Sequence, residues 1–320
     1  MRFRITHSNQ KGIQLIHLHD DELSCTVSIA PEYGAMLHAF SVNSTNGPVN
    51  IINNYSNKAE LDQELALSYK SSKLSPFPCR IEKGSYQWEG EQYQFANRFP
   101  DGSAIHGLLF NKSFQIKEQK TTDFFSSALF EYEFKAEDPG YPFHYTCQVL
   151  YTLLHGNTLQ IQTTLINLDT KTIPIADGWH PYFQLSDTIN NCWLRFPAKG
   201  MLEFNEQLIP TGKILPYQVF NASKPFGNTI LDNCFLIDPA AGQPVCELSD
   251  PASGISIRFI TDEGYPYLQL YTPPDRKSIA IENLSSAPNC FNNGIGLLKL
   301  GPGESKTMTV HYSVQTKETN

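Results

Sequence analysis

Apolar and polar residues alternate with a period of two along much of this chain. Leu23, Cys25, Val27 and Ile29 do so, as do Cys147, Val149, Tyr151 and Leu153. Leu159, Ile161, Thr163 and Leu165 repeat the pattern, and Met308, Val310, Tyr312 and Val314 repeat it near the C-terminus. Successive side chains of a strand point to opposite faces, so this period predicts strands with one buried and one exposed face, as antiparallel sheets have. Glu89-Gly90-Glu91, His155-Gly156-Asn157 and Gly301-Pro302-Gly303 separate strand-like runs and read as hairpin turns. Helical periodicity is scarce: Lys58 to Ser71 offers a short helix carrying Leu61, Leu65 and Leu67 among charged residues. The 21 prolines and 20 glycines are spread throughout, which favours many short strands joined by turns. No change of composition, low-complexity linker or fixed repeat divides the chain, so one all-β domain over residues 1–320 is expected. The polar tail after Val314 is expected to fray.

Forty per cent hydrophobic residues in a chain of 320 suffice for a large core. Against 32 acidic residues stand 24 basic ones, a net charge of -8 with no Lys/Arg-rich run. That balance argues against nucleic acid or an anionic membrane as a partner. No apolar stretch of signal-peptide length follows the charged start, and none approaches the ~18 residues of a membrane helix. The seven cysteines (25, 79, 147, 192, 234, 246, 290) are odd in number, scattered and without a C-x-x-C pair. A disulfide framework or structural zinc site is not expected, and a cytoplasmic location fits best.

Nine histidines are the starting point for chemistry. His17 and His19 share a strand face at a spacing compatible with metal ligation, but no acidic or cysteine partner completes a site. They read as two histidines on an exposed face. His7, His38, His144, His155 and His311 have no distinctive neighbourhood and read as surface or packing residues. His106 follows the irregular stretch Asn97-Arg98-Phe99-Pro100-Asp101-Gly102-Ser103 and precedes Gly107. Such a loop can carry a side chain into a cleft, and the glycine allows close approach of backbone or ligand. His180 lies in Asp177-Gly178-Trp179-His180-Pro181-Tyr182-Phe183. Flat aromatic faces there suit stacking on the C–H face of a pyranose; the same composition equally describes a buried aromatic cluster around one satisfied histidine. Glu282 closes the run Ser278-Ile279-Ala280-Ile281-Glu282 before a polar loop, as a functional carboxylate or a rim charge. Arg80, in a segment stiffened by Pro76 and Pro78, can donate to sugar hydroxyls, and Asp232 can accept from them. An ion pair or a turn accounts for either one as well. Asn293-Gly294-Ile295-Gly296 lacks dinucleotide-binding spacing, and no G-x-S-x-G elbow is present.

Taken in order, these segments resemble the aldose 1-epimerase (galactose mutarotase) family. The matching stretches are Pro76-Phe77-Pro78-Cys79-Arg80-Ile81 with Gly84, Ile105-His106-Gly107 with Asn111-Lys112, and Gly178-Trp179-His180-Pro181-Tyr182-Phe183. Leu231-Asp232 with Phe235, Ile281-Glu282 with Phe291-Asn292, and a closing hairpin at Leu300-Gly301-Pro302-Gly303-Glu304 complete the set. The resemblance implies a large antiparallel β-sandwich, the galactose mutarotase-like supersandwich, with a sugar cleft. It implies an isomerase that interconverts the α and β anomers of a free hexose, a small-molecule sugar substrate and no cofactor or metal. Glu282 would be the general base on the anomeric hydroxyl, His180 the general acid on the ring oxygen, and His106 a group stabilising charge there. Arg80 and Asp232 would anchor ring hydroxyls, and Trp179, Tyr182 and Tyr271 are candidates for ring contacts.

Three departures from the family pattern loosen the implied preference for galactose. Cys79 replaces the usual asparagine, Gly107-Leu108-Leu109-Phe110 replaces a doubled glycine, and Asn283 to Pro288 differs from the common form. Two rivals remain: a hexose-6-phosphate epimerase, which needs extra cations such as Arg98, and a non-catalytic carbohydrate-binding protein on the same fold. Retention of His106, His180 and Glu282 favours catalysis, because binding alone requires no acid–base set.

Overall fold

The computed structural model describes residues 2–45, 47–240 and 242–316, so the end of the polar tail (317–320) lies outside the described residues. Antiparallel strands dominate, with two helices, Lys58–Ser68 and Cys290–Asn293. The largest sheet has nine strands, in the order Gln115–Thr121, Phe125–Lys135, His144–Leu154, Thr158–Asn167, Ser305–Gln315, Ile255–Thr261, Cys246–Asp250, Trp193–Arg195 and Lys224–Pro225. A five-stranded meander, from Phe3–Gln10 to Gly47–Asn50, packs on its first half. A six-stranded sheet faces its second half, with Phe183 against Phe259 and Tyr312 at ring distances of 4.8 and 5.4 Å. The result is a large antiparallel β-sandwich.

The alternation in the sequence is the core pattern. Cys147, Val149, Tyr151 and Leu153 are fully buried, and Thr158–Asn167 alternates buried and half-buried residues along its whole length. Glu89-Gly90 and His155-Gly156-Asn157 join paired strands. Gly301-Pro302-Gly303 does not. It links Leu298–Leu300, paired with Ile173–Ile175, to Ser305–Gln315, paired with Thr158–Asn167, so the chain changes sheet there. All seven cysteines are buried and free. No described helix is long and apolar enough to cross a membrane.

Two further expectations are corrected. His17 and His19 are not an exposed pair: each ring bridges hydroxyls of the flanking strands, Ser8 and Ser28 for His17, Thr6 and Thr26 for His19. The predicted helix stops at Ser68 and turns only Leu61 and Leu65 inward, while Leu67 is 71% exposed. Its start is set by Asn57, whose side chain accepts from the Glu60 N–H while Glu60 reaches back to the Ser56 N–H. This variant of the capping box explains a helix with so weak an apolar stripe.

Candidate active site

Backbone pairing carries His180 to the cleft. The segment Gly178 to His180 runs between Ser71–Leu74 and the strand Ile279–Leu284. Leu74 N–H donates to Gly178 O and His180 N–H to Ser72 O on one side, and Trp179 N–H donates to Asn283 O on the other. Alternation then decides the side chains. His180 and Tyr182 point into the cleft, their rings stacked at 5.1 Å and 13°, with the Tyr182 hydroxyl donating to Ser68 O. Trp179 points the other way, into the core beside Tyr151 and the Lys73 ammonium, and does not line the cleft. It is therefore not a ring-stacking residue.

Glu282 lies in mid-strand, not at a strand end, in Ile279–Leu284. Its direct partner on the neighbouring strand is Gln269, and Tyr271 is opposite Asp232. Gln269 Nε2 donates to Asp232 Oδ1 at 2.9 Å, so the six-stranded sheet presents Glu282, Gln269, Asp232 and Tyr271 on one face.

His106 arrives from the opposite side. Both it and Gly107 adopt left-handed backbone, with φ of 60° and 72°. A Cβ on Gly107 would lie 2.3 Å from Ser75 O, so only glycine permits this approach. Tyr69, the left-handed cap of the helix, packs on the His106 ring at 4.6 Å. Arg80, paired with Ile105, is steadied by Asp101 Oδ2 at 3.1 Å and Ser103 Oγ at 3.3 Å. Cys79, where an asparagine is usual, has φ of 52°, a conformation that asparagine tolerates better than most residues. Arg98 is exposed, its stem lies against Gly84, and it lines a neighbouring cavity; Lys70 joins Arg80 as a cation of the cleft.

The cleft has a volume of about 460 Å³ with the proposed acid–base groups at its floor. His180 Nε2 and Glu282 Oε1 are 3.3 Å apart, and the rings of His106 and His180 meet edge-on at 5.0 Å. Burial, then the charge of Asp232, pushes the Glu282 carboxyl well above the usual carboxylate range. Burial brings His180 down to about 4, and burial followed by His180 and Arg80 holds His106 low. At 3.3 Å, with each charged form disfavoured by burial, the Glu282–His180 contact favours two neutral groups over an ion pair. His106 Nδ1, His180 Nδ1, Glu282 Oε2 and Gln269 Oε1 are buried without a protein partner. Four such atoms in one cleft call for a ligand rich in hydroxyls, which both donate and accept. No described cluster of three or more His, Cys, Asp or Glu is arranged to hold a metal ion.

Several lining residues escaped the sequence reading. Gln269 was not recognisable, because its role depends on which strand lies beside Glu282. Tyr69 and Lys70 follow from the Asn57-x-x-Glu60 cap that starts their helix.

The aldose 1-epimerase family matches residues 14–313. The uncharacterized protein YihR of Escherichia coli K12 is 28% identical over 262 residues, covering 80% of this chain and 82% of that protein. A galactose mutarotase-like protein from Clostridium acetobutylicum superposes with a TM-score of 0.87 at 17% identity, covering 99% of each chain. Galactose 1-epimerase from Lactobacillus acidophilus superposes with a TM-score of 0.80 at 17% identity, covering 98% of this chain and 99% of that one. These two structural likenesses concern the fold, whereas the sequence match spans nearly the whole chain. The chain belongs to the aldose 1-epimerase family.

Proposed function

We propose that this protein interconverts the α and β anomers of a free aldose by general acid–base ring opening. The observation that carries the proposal is the Glu282–His180 pair, two buried groups 3.3 Å apart at the floor of a hydroxyl-binding cleft. The anomeric hydroxyl and the ring oxygen are bonded to the same carbon, so a base for one and an acid for the other must be close neighbours. Glu282 takes the proton of the anomeric hydroxyl while His180 delivers one to the ring oxygen. The C1–O5 bond opens to the aldehyde, rotation about C1–C2 turns the other carbonyl face to the hydroxyl, and closure returns both protons. A sugar hydroxyl donating to Glu282 favours its carboxylate and moves the shared proton onto His180. His106 hydrogen-bonds near the ring oxygen, while Arg80 and Asp232 hold ring hydroxyls and Tyr182 orients His180. No step requires a cofactor.

Freshly dissolved α-glucose, α-galactose and glucose 6-phosphate, followed by polarimetry, test the activity. Acceleration of a free aldose over buffer is expected, and acceleration of none, with sugar still bound, would identify a binding protein. In Glu282→Gln, turnover should fall by roughly 10²–10⁴ with KM little changed, since a general base is lost and the carboxamide still hydrogen-bonds. Wild-type rates would place the base elsewhere.

A further inference from the structure

A second hollow, of about 410 Å³, adjoins the cleft behind the His106 segment. Ile105 and Gly107, the chain neighbours of His106, line it, although His106 itself turns into the cleft. Tyr69, Phe99 and Ile105 line both cavities and so form the partition between them. Phe77, Phe95 and Phe134 are buried and close the deep side, while Phe110 stands half-buried, its ring 5.0 Å from that of Tyr69. Protein interiors are close-packed, with few voids larger than a water, and small-molecule sites are hollows of roughly 300–1,000 Å³ lined by apolar and aromatic side chains. Phe99 and Ile105 are half-buried yet belong to none of the described hydrophobic clusters, so core packing does not account for them.

The charged residues of this hollow are Arg98, Lys112, Glu137 and Asp138. Three of them are satisfied within the protein. Lys112 Nζ lies 2.5 Å from Glu137 Oε2, and Glu137 also accepts from the Tyr132 hydroxyl. Asp138 Oδ1 accepts from the N–H groups of Ala96 and Gly140. Arg98 makes no side-chain hydrogen bond or ion pair among the described residues. Its place is nonetheless built. A Cβ on Gly84 would lie 2.8 Å from Arg98 Cγ and Cδ, so the glycine leaves room for the stem. The loop that carries Arg98 is closed by Phe99 N–H donating to Ser103 O and Gly102 N–H donating to Phe99 O. An unpaired guanidinium at a ring-lined hollow is complementary to an anionic group on a flat apolar body.

We propose that this hollow is a second ligand site, separate from the sugar cleft, for a flat aromatic ring bearing one carboxylate. The ring lies among Phe99 and Phe110, and the carboxylate accepts from the Arg98 guanidinium. The bound ring fills the space behind Tyr69 and the left-handed His106-Gly107 turn, and holds both in the arrangement that lines the cleft. Sugar and ring then favour each other's binding by the same factor. The ligand site stands on its own geometry, and only its effect on turnover rests on the anomer-interconverting reading above.

Calorimetric titration of wild type, Arg98→Gln and Ala66→Trp with 2-naphthoate, its neutral carboxamide and cyclohexanecarboxylate tests the site. Arg98 and Ala66 are both exposed, so both variants should melt with wild type; Ala66 lines the hollow, and an indole there fills it. Expected is one saturable site for 2-naphthoate, lost in Ala66→Trp. Binding should be about tenfold weaker for the carboxamide and in Arg98→Gln, since a charge-assisted contact is removed. It should also be weaker for cyclohexanecarboxylate, which is not flat. No saturable binding, binding unchanged in both variants, or equal affinity for all three probes overturns the site. Displacement of 2-naphthoate by glucose also overturns it, by placing the ring in the cleft. In anomer equilibration of glucose followed by NMR, 2-naphthoate should lower KM about fivefold in wild type and leave Ala66→Trp unchanged. Binding with no effect on KM refutes the coupling. Acceleration of no aldose, with 2-naphthoate still bound, refutes the activity and leaves the site standing.

Discussion

Glu282 and His180 are ordinary residue types made unusual by burial. In water a carboxyl and an imidazole near neutrality would be an ion pair. At the floor of this cleft each charged form is disfavoured, so the carboxyl rises and the imidazole falls to about 4. The competent pair carries one proton in total. Acid adds a second proton at His180, and alkali removes the only one. The pH profile of kcat/KM should therefore be bell-shaped, with apparent values belonging to the pair. Its acid limb should lie near pH 4, well below the ordinary imidazole value of about 6.5. Rates measured from about pH 3 to 9 against an anomeric sugar check this; an acid limb centred near 6.5 would mean a solvated histidine governs the rate. The identity of both residues was visible in the sequence. Their protonation was not, because it depends on burial by residues distant in the chain.

Among the elements, the segment Asp177 to His180 is held from behind by a buried ion pair. Lys73 Nζ lies 2.5 Å from Asp177 Oδ2, both side chains fully buried, and also donates to Thr163 Oγ1 at 3.2 Å. The Tyr265 hydroxyl donates to the same Asp177 oxygen at 2.7 Å, and the Asp177 N–H donates to Ser285 Oγ. One aspartate thereby ties the Ser71–Leu74 segment to the end of the strand that carries Glu282, fixing His180 against Glu282. Lys73→Met leaves a buried carboxylate without its cation and should cost about 3–5 kcal/mol. Urea unfolding checks this, and Lys73→Met/Asp177→Asn should recover part of the loss. A cost below about 1 kcal/mol for the single variant would show that the carboxyl is neutral in the native state. Lys73 stands in a stretch that reads as loop, Ser71-Ser72-Lys73-Leu74, and nothing local marks its partner 104 residues away.

For the whole molecule, stability should fall in acid for a reason spread over the five-stranded sheet, the nine-stranded sheet and the cleft. His17, His19, His38, His106, His180 and His311 are held below their ordinary value, each chiefly by burial. In the unfolded chain they take up protons near pH 6.5, while the native state resists until about 4 at His19, His38 and His180. Between those values the unfolded state binds more protons, so acidification favours it. Asp177, Asp232 and Glu282 act oppositely, since burial raises them and the native state retains their protons longer. Six groups against three predict a lower urea midpoint at about pH 5 than at about pH 7.5. An equal or higher midpoint at the lower pH would show that the carboxyls dominate.

The sequence by itself determined the antiparallel strands, because a period of two is a local property of each strand and needs no knowledge of its neighbours; the sandwich was implied by the family resemblance. It also determined the family, since the G-W-H-P-Y-F stretch and its companions occur in order. Tertiary structure alone decided which residues share the cleft. Trp179 and His180 are adjacent in sequence yet face opposite sides, and Gln269 joins Glu282 only through strand pairing. Arg98, near His106 in the chain, lies outside the cleft, whereas Leu67 and Leu208, 141 positions apart, share its wall. Side-chain direction in a sheet depends on register, and register is set by pairing between distant segments. That is why the chemistry could be read residue by residue, while the shape of the site waited for the fold.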